Sequence, residues 1–153
     1  MKKFICILIC IAVFACPFTT LAAPEFLGTD YAGNATYLMN ILNPEQFSTI
    51  TSNATCIVSA AAVQGTNVAV YLYDAPTGMY RKINTYINGV KQDEVLVGAS
   101  GLYAQQVLLR EGLNKILVYA KNGNDVQTIR LEVTLLGNQY VGSLKSYVTT
   151  KFN

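Results

Sequence analysis

The chain of 153 residues contains no histidine, and of its four cysteines only Cys56 lies beyond the first 16 residues. The lack of histidine removes the commonest general base, the Ser-His-Asp triad and His-ligated zinc. A single late cysteine cannot close an internal disulfide or supply a thiolate metal set, and it has no imidazole to activate it. Cys56 is therefore expected to be a small buried hydrophobe. Charge is also scarce, at 13% of residues, with no basic cluster. That leaves no electrostatic footprint for nucleic acid or anionic lipid. The apolar run at the start, Phe4 to Ala15, is about 12 residues, short of the roughly 20 that a membrane-spanning helix needs.

That run has a different meaning. "MKKFICILICIAVFACPFTTLAAPEF" places two lysines before the apolar stretch and a small-residue site after it. This is the three-part layout of a secretory signal peptide. Thr20-Leu21-Ala22 fits an A-x-A-like site, so cleavage is expected after Ala22; cutting one residue later would put Pro24 next to the cut. A competing reading takes "VFAC" as a lipoprotein box with Cys16 acylated, but Phe14 is bulky for that motif and Pro17 follows it. Loss of Lys2 and Lys3 leaves nine basic residues against nine acidic ones. The tail "GSLKSYVTTKFN" has two lysines, too few for a polybasic anchor, and there is no wall-sorting motif. The expectation is a secreted or cell-surface protein with no membrane span in the mature chain. Without disulfides it must rely on core packing, which suits the exterior of a bacterium.

Residues 1–22 are thus assigned to the signal and 23–46 to a linker or edge segment. The segment 47–136 is assigned to the folded domain and 137–153 to a tail. In the linker, "ATYLMNIL" is a short apolar run, without a cap, that admits an edge strand or a brief helix. From Ser48 the pattern has period two. Cys56, Val58, Ala60 and Ala62 fall on one face, and Ile57, Ser59 and Ala61 on the other. Val68, Val70 and Leu72 alternate with Ala69, Tyr71 and Tyr73. "DAPTG" closes that strand, and Asn88-Gly89 suits a type I′ hairpin turn. "VGASG" and "REG" make two further corners.

The plainest pattern is "LREGLNKILVYAKNGNDVQTIRLEVTL". Ile116, Val118 and Ala120 alternate with Lys115, Leu117, Tyr119 and Lys121. "NGND" turns the chain, and Ile129, Leu131, Val133 and Leu135 alternate with Thr128, Arg130, Glu132 and Thr134. One apolar and one mostly polar face predict an antiparallel sheet packed from one side. A lone hairpin is marginal in water and needs a second sheet over it. About seven or eight short strands, with turns every 8–12 residues and no convincing helix, predict a two-sheet antiparallel sandwich, with a small barrel as the alternative.

The stretch from Val97 to Leu135 resembles the C-terminal half of bacterial extracellular immunoglobulin-like domains, such as the B domain of glucodextranases. The phrase that carries the resemblance is a strand ending at Leu109, then Glu111-Gly112-Leu113-Asn114-Lys115-Ile116, an alternating strand, "NGND" and a last alternating strand. "VSAAAVQGTNVAVYLYD" looks like the family's second and third strands. The likeness covers 47–136 and implies an immunoglobulin-like sandwich, while saying little about function. The family's turn often places "GN" after an Asp; here Asn124-Asp125 is transposed. The tryptophan and cysteine pair of antibody-type domains are both missing. Independently of the family, Gly112 allows a tight corner, and the Asn114 side chain can bond the backbone groups that the corner leaves over.

Few residues suggest a site. Asp93 and Glu94 are adjacent and would point to opposite faces of a strand, a poor glycosidase pair, and a solvated strand is the simpler expectation. "NGND" offers one Asp where calcium needs six to eight ligands, so a plain turn is expected there. No metal and no cofactor are expected. Asn34-Ala35-Thr36 and Asn53-Ala54-Thr55 are formal sequons without use in a bacterium. The ten tyrosines are the most suggestive feature. Tyr71, Tyr73 and Tyr119 fall opposite the presumed core, with Tyr80 and Tyr86 on neighbouring segments. Exposed rings there could bind a polysaccharide or a protein of the envelope, while cross-strand pairing is the blander role. The functional expectation is a secreted, non-enzymatic binding or adhesion module, with a self-associating envelope protein as the alternative.

Overall fold

A computed structural model describes residues 22–87 and 90–137, with 85–87 and 90–92 described as backbone only. The signal segment up to residue 21, with Cys16, lies outside the described residues, as do Asn88-Gly89 and the tail from residue 138. The described chain is all-β and has twelve strands. They are β1 (Phe26–Leu27), β2 (Met39–Asn43), β3 (Ser48–Thr51), β4 (Thr55–Ala62), β5 (Asn67–Asp74) and β6 (Met79–Lys82). There follow β7 (Thr85–Ile87), β8 (Val90–Gln92), β9 (Val95–Leu96), β10 (Leu102–Leu108), β11 (Gly112–Asn122) and β12 (Asp125–Leu135).

The strands form the expected two-sheet sandwich. One sheet has the order β1-β6-β5-β11-β12-β3, with β9 also pairing β5; the other has the order β10-β4-β2. All pairs are antiparallel except β12 with β3. A separate ribbon, β7-β8, places Ile87 opposite Val90, a register that leaves two residues between the strands. The chain alternates between the two sheets at every step from β1 to β5, with a cis Asn43–Pro44 peptide bond between β2 and β3, and crosses again between β9 and β10 and between β10 and β11.

The period-two reading explains the inner faces. Val58 and Ala60 of β4 and Tyr103 and Val107 of β10 face Val68 and Val70 of β5. With them pack Ile116, Val118 and Ala120 of β11 and Leu131 and Val133 of β12. Cys56, Ala62, Leu72, Ile129 and Leu135 pack at the margin of this cluster. Each buried Val, Leu or Ile contributes about 1.5–3 kcal/mol relative to an exposed one. Cys56 behaves as the expected small hydrophobe, and its partial burial raises its thiol pKa.

Asn114 does at the β10–β11 corner what the sequence suggests. Gly112 takes a φ of 89°, which side chains with a Cβ rarely adopt. The Arg110 amide donates to Asn114 Oδ1 (2.8 Å), and Asn114 Nδ2 donates to the carbonyls of Arg110 (2.7 Å), Gly112 (3.0 Å) and Val133 (3.2 Å).

Two expectations change. The segment 23–46 is more than a linker: β1 edges the large sheet, β2 edges the small one, and Leu38 and Met39 enter the core. Gln127, on the inward face of β12, clamps β2 across the sandwich. Its Oε1 accepts from the Met39 amide and its Nε2 donates to the Met39 carbonyl, both at 2.9 Å. The second change is that β5 and β11 are buried on both faces rather than one. Residues 23–35 run as a strap across the outer side of the large sheet. Ala23 and Leu27 pack there on Ala69, Tyr71, Tyr80, Leu117 and Tyr119. Arg130 Nη2 holds the strap by donating to the carbonyls of Thr29 (3.0 Å) and Tyr31 (2.7 Å). The Val126 amide donates to Asn34 Oδ1 (2.7 Å), and the Ala35 amide to the Val126 carbonyl (2.9 Å). Gly33 is needed for that approach, because a Cβ there would stand 2.2 Å from the Val126 carbonyl oxygen.

Candidate functional site

Of the tyrosines proposed from the sequence, Tyr71, Tyr73, Tyr80 and Tyr119 do lie on the face opposite the core. Exposure, however, is not what most of them have. Tyr71 is 0% exposed, and Tyr80 and Tyr119 are buried as well, because the strap covers them. Tyr71 donates its hydroxyl to the Pro24 carbonyl (2.7 Å). Its ring stands edge-on to Tyr119 at 6.2 Å, and Tyr119 meets Tyr31 of the strap at the same separation. Burial, more than neighbouring charge, raises the Tyr71 and Tyr80 hydroxyl pKa values and pushes Tyr119 up to about 12. These rings act as a layer between sheet and strap. The side chain of Tyr86 lies outside the described residues.

Among the described side chains of this set, Tyr73 alone keeps a half-open ring. It packs edge-on to Tyr80 at 5.7 Å, with Lys115 Nζ 5.7 Å from its ring centre. Shallow clefts of about 450 and 260 Å³ lie on either side of it. The first is lined by Arg81, Arg110 and Lys115 against Asp74 and Glu111. The second is lined by Tyr73 and the edge-on Tyr80 with Lys115, Arg130 and Glu132, so both clefts mix charges of either sign around the Tyr73 ring.

Asp93 and Glu94 do not lie on a solvated strand. They form the link between β8 and β9, and the Glu94 carboxylate is held by the Lys82 ammonium at 3.3 Å, with side-chain exposures of 18% and 5%. At the β11–β12 hairpin, Asp125 accepts a hydrogen bond from the Tyr37 hydroxyl, and that bond is the main reason the Tyr37 pKa is raised. Among the described residues no group of three or more His, Cys, Asp or Glu side chains is placed to hold a metal ion. Among them, too, no helix is long and apolar enough to cross a membrane.

The surface with the strongest chemical character is one that alternation alone did not single out. It is the outer face of the small sheet. Leu108 (70% exposed) of β10 stands diagonal to Ile57 (56%) of β4, while Leu102 (63%) lies at the other end of β10, opposite Ala61; Leu42 of β2 is also exposed. Ala104, Ala61 and Ser59 lie between them, since Leu102 pairs with Ala61 and Ala104 with Ser59. Thr55, Gln106 and Asn40 complete the outward positions, so the face holds no charged residue and no aromatic ring. The edges of this sheet, β2 and β10, contain neither proline nor lysine, the residues that ordinarily keep sheet edges from pairing. The signal in sequence was "LYAQQVLL", whose large apolar residues fall on both phases of the alternation. No family model matches the chain, and no curated protein matches it.

Proposed function

We propose that the protein is an exported, non-enzymatic immunoglobulin-like module that works by surface contact at the bacterial cell envelope. Its contact surface is the outer face of the β10-β4-β2 sheet. The observation that carries this reading is the exposure of Leu102, Leu108 and Ile57 at outward strand positions that carry no charge. The immunoglobulin-like part is supported by the crossings from β4 to β5 and from β10 to β11, by the parallel pairing of β3 with β12, and by the Asn114 corner. Export is supported by the three-part layout of residues 1–22.

The occupant that fits this face is a second copy of the chain. A distinct partner is ordinarily selected by complementary charge, and this face has none to offer. A two-fold pairing needs only that large side chains meet small ones, and Leu102 and Leu108 alternate with Ala104, Ala61 and Ser59. Three strands about 4.8 Å apart and seven residues at about 3.3 Å each give a footprint of roughly 14 by 23 Å. That is below the roughly 800 Å² per partner of a standard stable interface. The contact is therefore weak between two isolated copies and gains from many copies held close together, as on a cell surface.

Sedimentation of the exported protein tests this. The expected result is concentration-dependent association in the micromolar range or above, abolished by the pair Leu102→Glu and Leu108→Glu with the fold intact. A monomer at every concentration that still binds intact envelopes through Leu102 would replace the second copy with another protein. Retention on cell-wall glycan that is lost in Tyr73→Ala and indifferent to Leu102 would move the site to the Tyr73 clefts.

A further inference from the structure

We infer that the half-buried Glu94 and the buried Lys82 form the seat of the processed N terminus, built to hold the α-ammonium of Ala23. This rests on the export reading above, with cleavage after Ala22. The structure puts a sharp boundary at that bond: Ala22 is exposed and Ala23 is buried. The Ala23 nitrogen donates to Glu94 Oε1, and the Ala23 carbonyl accepts from Lys82 Nζ at 2.7 Å. Lys82 Nζ also donates to the same Glu94 oxygen at 3.3 Å. One residue is thus gripped through both its backbone groups by two oppositely charged side chains, Lys82 buried and Glu94 half-buried, from different parts of the chain, β6 and the β8–β9 link. The next carbonyl, Pro24, accepts from Tyr71, and the carbonyl of Glu25 accepts from the Lys82 amide.

An interior amide does not need a carboxylate, since a carbonyl would satisfy it. A carboxylate suits a cation. Hydrolysis of the Ala22–Ala23 bond by an exported-protein peptidase adds water across it, hydroxyl to the Ala22 carbonyl carbon and hydrogen to the Ala23 nitrogen. The amine released has an ordinary pKa near about 8 and takes up a proton at neutral pH. It turns the existing contact into a charge-assisted hydrogen bond, roughly twice as strong as a neutral one. Two cations then share Glu94, while Glu25 stands with Glu94 among the charges that act on Tyr71. The seat pins the first residue of the strap, and the strap covers the tyrosine layer. Processing thereby completes the outer layer of the mature fold.

The test uses the full chain exported from a bacterial host. N-terminal sequencing should return Ala23 as the first residue; retention of the unprocessed chain inside the cell sinks the export reading, and an exported chain with any other first residue overturns the seat. The processed protein is then treated with an amine-acetylating reagent at neutral pH, folded and in urea, and the N-terminal peptide is followed by mass spectrometry. In the folded protein the Ala23 amine should react at least about tenfold more slowly than in urea, the discrimination a charge-assisted bond supplies. Glu94→Gln should recover most of that reactivity. Equal rates folded and unfolded overturn the seat even though processing is correct, and this comparison stands without any variant. A Glu94→Gln protein that stays folded and reacts as slowly as the wild type removes Glu94 from it.

Discussion

Asn114→Ala isolates the one polar side chain whose work was visible before the fold was known. Asn114 is nearly buried and makes four hydrogen bonds, two of them at 2.7 and 2.8 Å to both backbone groups of Arg110. The third reaches Gly112 across the corner, and the fourth joins the Val133 carbonyl on the neighbouring strand. A net value of about 1 kcal/mol per bond, with the two-hydrogen amide shared among three carbonyls, gives about 3 kcal/mol. Part of that loss is the Arg110 amide left with no partner at this corner. In urea melts with an unchanged m-value the midpoint should fall accordingly, and the melting temperature should drop by roughly 10 °C. Asn114→Asp discriminates the mechanism. It keeps an acceptor for the Arg110 amide but aims a second oxygen at three carbonyls, so it should cost at least as much as the alanine. A loss below about 0.5 kcal/mol in Asn114→Ala, the range of ordinary surface changes, would refute the corner's role. So would an aspartate variant as stable as the wild type.

Two further perturbations probe the strap and the layer beneath it. Gly33→Ala forces a methyl into the Val126 carbonyl, so it should destabilise by about 2 kcal/mol or more and make Tyr31 and Tyr119 more accessible to solvent quenchers; a neutral effect on both would contradict the close approach. Alkaline pH should unfold the protein early. Tyr71 and Tyr103 have raised pKa values and Tyr119 sits at about 12, all chiefly through burial, whereas an unfolded tyrosine titrates near about 10. The fold therefore keeps protons that the unfolded chain releases. The stability is full below about pH 10 and is lost as pH climbs toward about 12, at about 1.4 kcal/mol per pH unit for each such tyrosine. Urea melts across that window should show the slope, and Tyr119→Phe should flatten it; a pH-independent midpoint would mean the rings titrate freely.

The difference between what was legible and what was not follows from the range of each interaction. The inner faces were legible because alternation is local: Val68, Val70, Ile116, Val118, Leu131 and Val133 each sit two residues from the next, and the pleat carries that spacing straight into the core. The Asn114 corner was legible for the same reason, since three of its partner atoms lie within four residues. The outer faces depend on what comes to rest on them, and period two is silent on that. Tyr71 and Tyr119 read as exposed because the pattern gives only the opposite side of the sheet; it takes Ala23 and Leu27, about 45 residues or more away in sequence, to bury them. Leu117 carried a warning, because a large aliphatic residue between Lys115 and Tyr119 is costly in water and cheap under a strap. The same logic applied to Leu102 and Leu108 leads the other way. They too stand on the outward phase, yet nothing in the described chain reaches them, and the strap that covers one sheet has no counterpart on the other. Among the described residues the sandwich thus hides one apolar outer face under its own N-terminal strap and leaves the second bare.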